Sequence, residues 1–321
     1  MSTNPGKPRI GVSSCLLGDE VRFDGAHKRN RFLTDVMAPW VEWVSLCPEV
    51  EVGMGIPREP VRLVRRGETL RMVGTRSGDD WSERMSDWSR QSSATIGGAD
   101  LSGYLLKANS PSCGPFRVKV YPAKDGPPTR DGRGIFADRL MEAHPNLPVE
   151  DEGRLNDDRL RENFLMRVFL RHRWLEGPAV ARSAHALVDF HSRAKMLILA
   201  HDPGAYGGLG RLVSNPGAGE ALETTLSDYE SRMMQAVAEP ASRGRHVNVI
   251  HHLMGFLKKV LPSLDRADIL RVVEEYRAGT VPLITPLTLL RHHLRYVDDA
   301  WLHGQFYLDP YPAELGLRSL V

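Results

Sequence analysis

The alternation of apolar and polar positions changes its rhythm once along this chain, and the change divides it. In the first half, short apolar runs alternate with longer polar or helix-forming stretches. Arg9-Ile10-Gly11-Val12 leads into Ser13-Ser14-Cys15, Val41-Glu42-Trp43-Val44-Ser45-Leu46 into Cys47-Pro48-Glu49, and Gly103-Tyr104-Leu105-Leu106-Lys107-Ala108 into Ser110-Pro111-Ser112-Cys113-Gly114. Apolar runs of this length, bounded by turn formers, predict strands. The segments between them, such as 29–40 and 79–96, the latter stopped at Gly97-Gly98, read as crossover helices. That order predicts a mainly parallel sheet, with right-handed crossovers carrying the strand ends to one edge. A loop rich in Pro and Gly, 122–134, precedes Ile135-Phe136-Ala137.

From Asp157 onward the apolar residues fall at helical spacing, and Leu160, Phe164, Leu165, Val168 and Phe169 share one face of a helix that ends near Gly177-Pro178. Further helices are expected at 181–201, 219–238, 242–261, 267–278 and 284–296, with no repeat of fixed period. The expected organisation is an α/β, Rossmann-like domain with a mainly parallel sheet over 1–156, a connecting helix over 157–180, and an all-α domain over 181–321.

Composition narrows the class. With 321 residues and 41% hydrophobic content the chain is an ordinary folded protein, neither disordered nor fibrous. Residues 1–8 carry no apolar leader, and nowhere do about 18 apolar residues run together, so the expectation is a cytoplasmic protein without a membrane partner. A net charge of +2 does not mark the whole chain as a nucleic-acid binder. Of 12 histidines only His27 precedes residue 140, which agrees with two segments of different composition. Three cysteines are too few for a secreted disulfide framework, which leaves reduced thiols for metal binding, catalysis or burial.

Each of those cysteines, Cys15, Cys47 and Cys113, directly follows a predicted strand. Strand ends on the carboxyl edge of an open α/β sheet are where ligands bind, so residues tens of positions apart can meet there. Soft thiolates favour zinc, copper(I) or iron-sulfur clusters, and three of them suit a 4Fe-4S cluster with one iron left open. The competing reading is three small buried side chains. Near them, Glu49 is a candidate general base and Ser110 a candidate hydroxyl for orienting a substrate; as plain structure they would be a helix-end carboxylate and a turn residue. The basic stretch holding Arg22, Asp24, His27 and Lys28, together with Lys107, is a candidate site for an anionic substrate, or else a solvated loop. Gly53-Met54-Gly55 is too short for a dinucleotide fingerprint. In the helical half, Arg243, Arg245, Lys258, Lys259, Arg291 and Arg295 are candidate contacts to an RNA backbone, with solvated helix faces as the alternative. The neighbours His251-His252 and His292-His293 point to different sides of a helix and do not predict zinc there.

Four blocks in order, Ser13-Ser14-Cys15-Leu16-Leu17-Gly18, Val21-Arg22-Phe23-Asp24-Gly25, Leu46-Cys47-Pro48-Glu49 and Lys107-Ala108-Asn109-Ser110-Pro111-Ser112-Cys113-Gly114, resemble the thiouracil desulfidase (TudS-like) family. The second half resembles the YbgA-like helical domain through Leu187-Val188-Asp189-Phe190-His191, Arg243-Gly244-Arg245-His246-Val247-Asn248-Val249, the block from Pro282 to His293 and Pro312-Ala313-Glu314-Leu315-Gly316-Leu317-Arg318. The combined resemblance, to the RudS type, implies a desulfidase of 4-thiouridine in tRNA. It further implies a 4Fe-4S cluster on Cys15, Cys47 and Cys113, with Glu49 and Ser110 catalytic. Asn109 and Phe23 depart from the family's usual arginine and tyrosine, at positions that are not ligands. The alternatives are a desulfidase of small, free thiouracil, a three-cysteine zinc hydrolase, and a non-enzymatic RNA-binding module. The oligomeric state is not readable from the sequence.

Overall fold

The three cysteine-bearing strands come to lie side by side. In the computed structural model, which describes residues 6–97 and 100–321, strand β1 (Arg9–Ser13) pairs in parallel with β2 (Glu42–Leu46). The strands that follow are β3 (Val61–Arg66), β4 (Thr69–Gly74), β5 (Gly103–Leu106), β6 (Val118–Pro122), β7 (Thr129–Gly132) and β8 (Val149–Asp151). One sheet has the order β2-β1-β5-β8 and is parallel throughout. Its central strands are buried on both faces, which is why β1 and β5 read as continuous apolar runs rather than alternating ones. Gly11 lets the Tyr104 ring lie against β1, since a Cβ there would stand 2.3 Å from the ring.

A second sheet, β4-β3-β6-β7, was not foreseen. Its outer pairs β3·β4 and β6·β7 are antiparallel hairpins, joined by the parallel pair β3·β6. Strand β3, Val61-Arg62-Leu63-Val64-Arg65-Arg66, has exposed arginines at its ends, and β7 lies inside the expected Pro/Gly loop 122–134; these disguise strands that are apolar over only part of their length. The helix expected over 29–40 is reduced to a π-helical segment, Phe32–Met37. Helices α1 (Pro48–Glu51), α2 (Ser82–Gly97) and α3 (Ile135–Ala143) complete this part of the chain; Gly98 of the expected stop lies outside the described residues. One apolar core takes Leu63, Met72, Val118 and Val120 from the second sheet, Tyr104 and Leu106 from the first, and Phe136 and Leu140 from α3. The Tyr104 and Phe136 rings meet edge to face at 5.8 Å.

The chain divides into two units, the first ending at Asn156 and the second running Asp157–Val321. The second is built of α4 (Asp158–Glu176), α5 (Pro178–Ala181), α6 (Ala184–His201), α7 (Pro203–Ser214), α8 (Glu220–Ala236), α9 (Arg243–Met254), α10 (Ser263–Ala278), α11 (Ile284–Leu294) and α12 (Ala300–His303). Asp157 caps α4 by accepting the N–H groups of Arg159 and Leu160, both at 3.0 Å. The expected connecting helix thus belongs to the second unit, where Phe164, Leu165 and Val168 are buried. Helix α7 is not among the expected helices, because Gly204, Gly207, Gly208 and Gly210 each weaken helix propensity. It forms on an Asp202 cap with Pro203 in its first turn. The core of this unit stacks Trp174 on Tyr229 at 5.4 Å, with Phe190 edge-on to Trp174 at 5.3 Å. Among the described residues no helix is long and apolar enough to cross a membrane.

Candidate active site

The parallel sheet sends β1, β2 and β5 out at the same edge, and a cavity of about 570 Å³ lies where they end. Cys15, Cys47 and Cys113 line it together with Glu49 and Ser110. Each thiol is delivered by its own turn. Cys15 sits in the 3-10 turn Ser14–Leu16 directly after β1. Cys47 caps α1, its carbonyl accepting the N–H groups of Val50 and Glu51 at 3.1 Å, with Pro48 in the first helical turn, where a missing N–H costs nothing.

The Cys113 turn is pinned from both sides. Ser110 Oγ accepts the backbone N–H of Ser112 at 3.3 Å and of Cys113 at 3.2 Å. From below, N–H groups at the start of α3 are satisfied by this turn: Ile135 donates to the Pro111 carbonyl at 3.1 Å and Ala137 to that of Ser112 at 3.2 Å. Gly134 permits the approach, because a Cβ there would lie 2.4 Å from the Ser112 carbonyl oxygen.

Burial dominates the electrostatics of the thiols. It pushes Cys15 up to about 11, with the neighbouring Cys47 adding to the effect. Burial likewise raises Cys47 and Cys113, and for Cys113 the nearby Glu49 charge acts in the same direction. A buried set of this kind resists becoming bare thiolates. All three cysteines line the cavity, and among the described residues no group of three or more His, Cys, Asp or Glu forms that could hold a metal ion.

Glu49 is held by residues that sequence reasoning overlooked. One carboxylate oxygen, Oε2, accepts from Arg58 Nε at 3.0 Å, and the pair is buried, with side-chain exposures of 5% for Arg58 and 14% for Glu49. The other oxygen, Oε1, accepts from Ser112 Oγ at 2.6 Å and, at 3.4 Å, from Ser110 Oγ. The two serine hydroxyls are 2.9 Å apart. In the sequence Ser112 stands out only as part of the Ser-Pro-Ser-Cys block, and Arg58 follows a loop with no motif of its own.

The candidate substrate residues separate. Arg22, Lys28 and Lys107 line the cavity, whereas Asp24 and His27 do not. Asp24 is exposed, accepts the Ala26 N–H at 3.2 Å and pairs with Arg22 at 3.4 Å; His27 Nδ1 accepts the Arg29 N–H at 3.2 Å. Lys107 is ion-paired with Glu152, whose other oxygen accepts the Ala108 N–H at 2.7 Å. The second sheet adds Arg62, Lys119 and Tyr121 to the lining, with the Arg62 guanidinium 5.2 Å from the centre of the Tyr121 ring. Among the described residues Lys28, Arg62 and Lys119 form no ion pair, so the cavity carries unneutralised positive charge.

The candidate RNA contacts of the helical unit also divide. Arg243, Lys258 and Lys259 are exposed. The others are engaged locally: Arg245 donates to the His201 carbonyl, Arg291 pairs with Asp309 at 2.8 Å, and Arg295 donates to the His292 carbonyl at 3.1 Å.

Comparison with known proteins assigns the two halves separately. Residues 10–152 match the family described as 2-thiouracil desulfurase, and residues 195–312 match a protein of unknown function family, DUF1722. The uncharacterized protein YbgA of Escherichia coli (strain K12) is 30% identical over 164 residues, spanning 51% of this chain and 97% of that protein. The uncharacterized protein YbbK of Bacillus subtilis (strain 168) is 32% identical over 154 residues, 46% of this chain and 98% of that protein. Among solved structures, the 4Fe-4S-dependent thiouracil desulfidase TudS is 31% identical, covering 47% of this chain and 94% of its own, with a TM-score of 0.39.

Proposed function

The chain belongs over its first half to the 2-thiouracil desulfurase family, and from that premise we propose that it is an iron-sulfur-dependent desulfidase acting on thiolated uracil, with 4-thiouridine in tRNA as its substrate. The observation that carries the reading is the meeting of Cys15, Cys47, Cys113, Glu49 and Ser110 around one cavity at the carboxyl edge of the sheet.

The donor set fits a 4Fe-4S cluster. Two buried thiols and the half-buried Cys47, all resisting ionisation, need a cationic partner to become thiolates together. Among the described residues no group of three or more His, Cys, Asp or Glu forms that could hold a single metal ion. The side chains as they stand thus give no ready-made zinc site, and we read the three thiols as ligands of a polynuclear centre. When bound on three thiolates, the cluster supplies one iron without a protein ligand, a Lewis acid with affinity for the sulfur of a thiocarbonyl.

The chain's own residues do the rest. Replacing C=S by C=O with water and releasing hydrosulfide is a hydrolysis, so no electrons enter or leave. Glu49, kept in place by Arg58, takes the proton of the attacking water. Ser110 lines the cavity beside Glu49, where its Oγ borders the nucleobase and orients it. Lys28, Arg62 and Lys119 draw an anionic substrate towards the cavity, and Phe23 and Tyr121 offer ring faces for a nucleobase. This charge favours a nucleotide or polynucleotide over a neutral free base. In the helical unit Arg243, Lys258 and Lys259 remain available for phosphate contacts along a tRNA.

The test is a direct comparison of substrates. Anaerobically reconstituted protein is given tRNA containing 4-thiouridine or free 4-thiouracil at equal concentration, and the loss of near-ultraviolet absorption is followed. Faster consumption of the tRNA is expected; consumption of the free base with the tRNA untouched would transfer the activity to thiouracil.

A further inference from the structure

Ser112 stands closer to the Glu49 carboxylate than Ser110 does, 2.6 Å against 3.4 Å, and it is fully buried. Its hydroxyl has one hydrogen to give and three neighbours that can accept it, Glu49 Oε1 at 2.6 Å, Ser110 Oγ at 2.9 Å and Cys113 Sγ at 3.5 Å. The shorter, charge-assisted contact takes the hydrogen. Ser112 Oγ is then left as an acceptor, and the hydroxyl 2.9 Å away is that of Ser110. Ser110 Oγ already accepts two backbone N–H groups, from Ser112 and Cys113. Its own hydrogen is directed towards Ser112 and Glu49.

We propose that Ser112 is a positioning residue for this site, holding the Glu49 carboxylate through Oε1 and fixing the direction of the Ser110 hydroxyl. The proposal rests on the reading of Glu49 and Ser110 as the groups that act on substrate. Arg58 anchors Oε2, so between them Arg58 and Ser112 hold both carboxylate oxygens and leave the group one orientation. Without Ser112 the carboxylate keeps its Arg58 anchor and only the long 3.4 Å contact from Ser110, so it can turn, and the Ser110 hydroxyl loses its nearest acceptor.

The experiment compares wild type, Ser112→Ala, Glu49→Gln and the double variant, each purified anaerobically. Ser112→Ala removes one oxygen from a buried position and adds no bulk. Turnover at saturating substrate should fall by ~10- to 100-fold, the scale on which misplacement of a reacting group acts, while KM and the iron content stay at the wild-type level. In the double variant, turnover should equal that of Glu49→Gln alone. The melting midpoints of the four proteins should be non-additive, since the two side chains share one hydrogen bond. Unchanged turnover in Ser112→Ala would overturn the positioning role, as would a loss confined to KM or to iron content. If wild type releases no sulfide from any thiolated substrate, the functional reading fails instead; additive melting shifts would then still refute the contact on which the proposal stands.

Discussion

Arg58 and Glu49 form a buried ion pair, Nε to Oε2 at 3.0 Å, and the same guanidinium donates to the carbonyls of Gly55 at 2.8 Å and Val21 at 3.0 Å. It therefore ties the proposed base to two loops that border the cavity. Removing the arginine leaves a poorly solvated carboxylate without its cation, which costs on the order of 3–5 kcal/mol. Arg58→Met should lower the denaturant midpoint of the first unit and abolish turnover. Arg58→Lys should rescue little, because an ammonium cannot reproduce the guanidinium's fork. Adding Glu49→Gln to Arg58→Met should restore much of the stability and none of the activity.

Gly134 supports the Cys113 turn without touching the cavity. A methyl at this position meets the Ser112 carbonyl oxygen at 2.4 Å, and the obstacle is backbone that cannot swing aside. Gly134→Ala should displace the turn, lower the melting temperature and reduce iron retention after anaerobic desalting. Gly126→Ala, in a surface turn where a Cβ meets only Pro122 Cγ at 3.1 Å and more distant atoms, serves as the control and should retain iron.

Lys28, Arg62 and Lys119 predict a salt-sensitive, charge-dependent substrate. Arg62→Ala combined with Lys119→Ala should raise KM for a thiolated tRNA several-fold and flatten its dependence on salt. Turnover of free 4-thiouracil, which brings no phosphate, should change little. Equal losses on both substrates would show that these cations support the fold or the chemistry and not anion recognition.

The second unit carries buried histidines whose titration predicts acid sensitivity. Burial holds His191 and His201 at about 4, and holds His246 well below its ordinary value of 6.5. On unfolding each returns towards about 6.5. The unfolded chain therefore binds more protons through this window, so stability present above about 6.5 is lost as pH falls towards about 4. Glu162, raised by burial, works in the opposite direction, its protonated form suiting the native state. With three histidines against one carboxyl, the denaturant midpoint of the second unit should drop between pH 7 and pH 5, read by the fluorescence of Trp174 and Trp301. A midpoint that rises on acidification would contradict this.

Much of the site was legible because it depends on order along the chain. Three apolar runs each ending in cysteine, separated by crossovers, suffice to bring Cys15, Cys47 and Cys113 to one edge, and the structure adds that β2, β1 and β5 are immediate neighbours. Glu49 and Ser110 were visible through their nearness to those cysteines. Arg58, Ser112 and the cations of β3 and β6 were not. Arg58 reaches Glu49 across a loop, and the second sheet was hidden by charged strand ends and a Pro/Gly-rich hairpin. In the helical half, periodicity gave the amphipathic helices and failed at α7, where an Asp-Pro start outweighs four glycines.

The central claim is that the cavity bearing Cys15, Cys47 and Cys113 hydrolyses a thiocarbonyl through an iron-sulfur centre. The most direct measurement is the sulfide released from 4-thiouridine-containing tRNA by anaerobically reconstituted protein without added reductant, alongside Cys15→Ala, Cys47→Ala and Cys113→Ala. Sulfide equal to the thiocarbonyl consumed, uridine as product, and loss of both iron and activity in all three variants is the predicted result. Iron-free protein with full activity, or a fully active variant lacking any one of the three thiols, would contradict it.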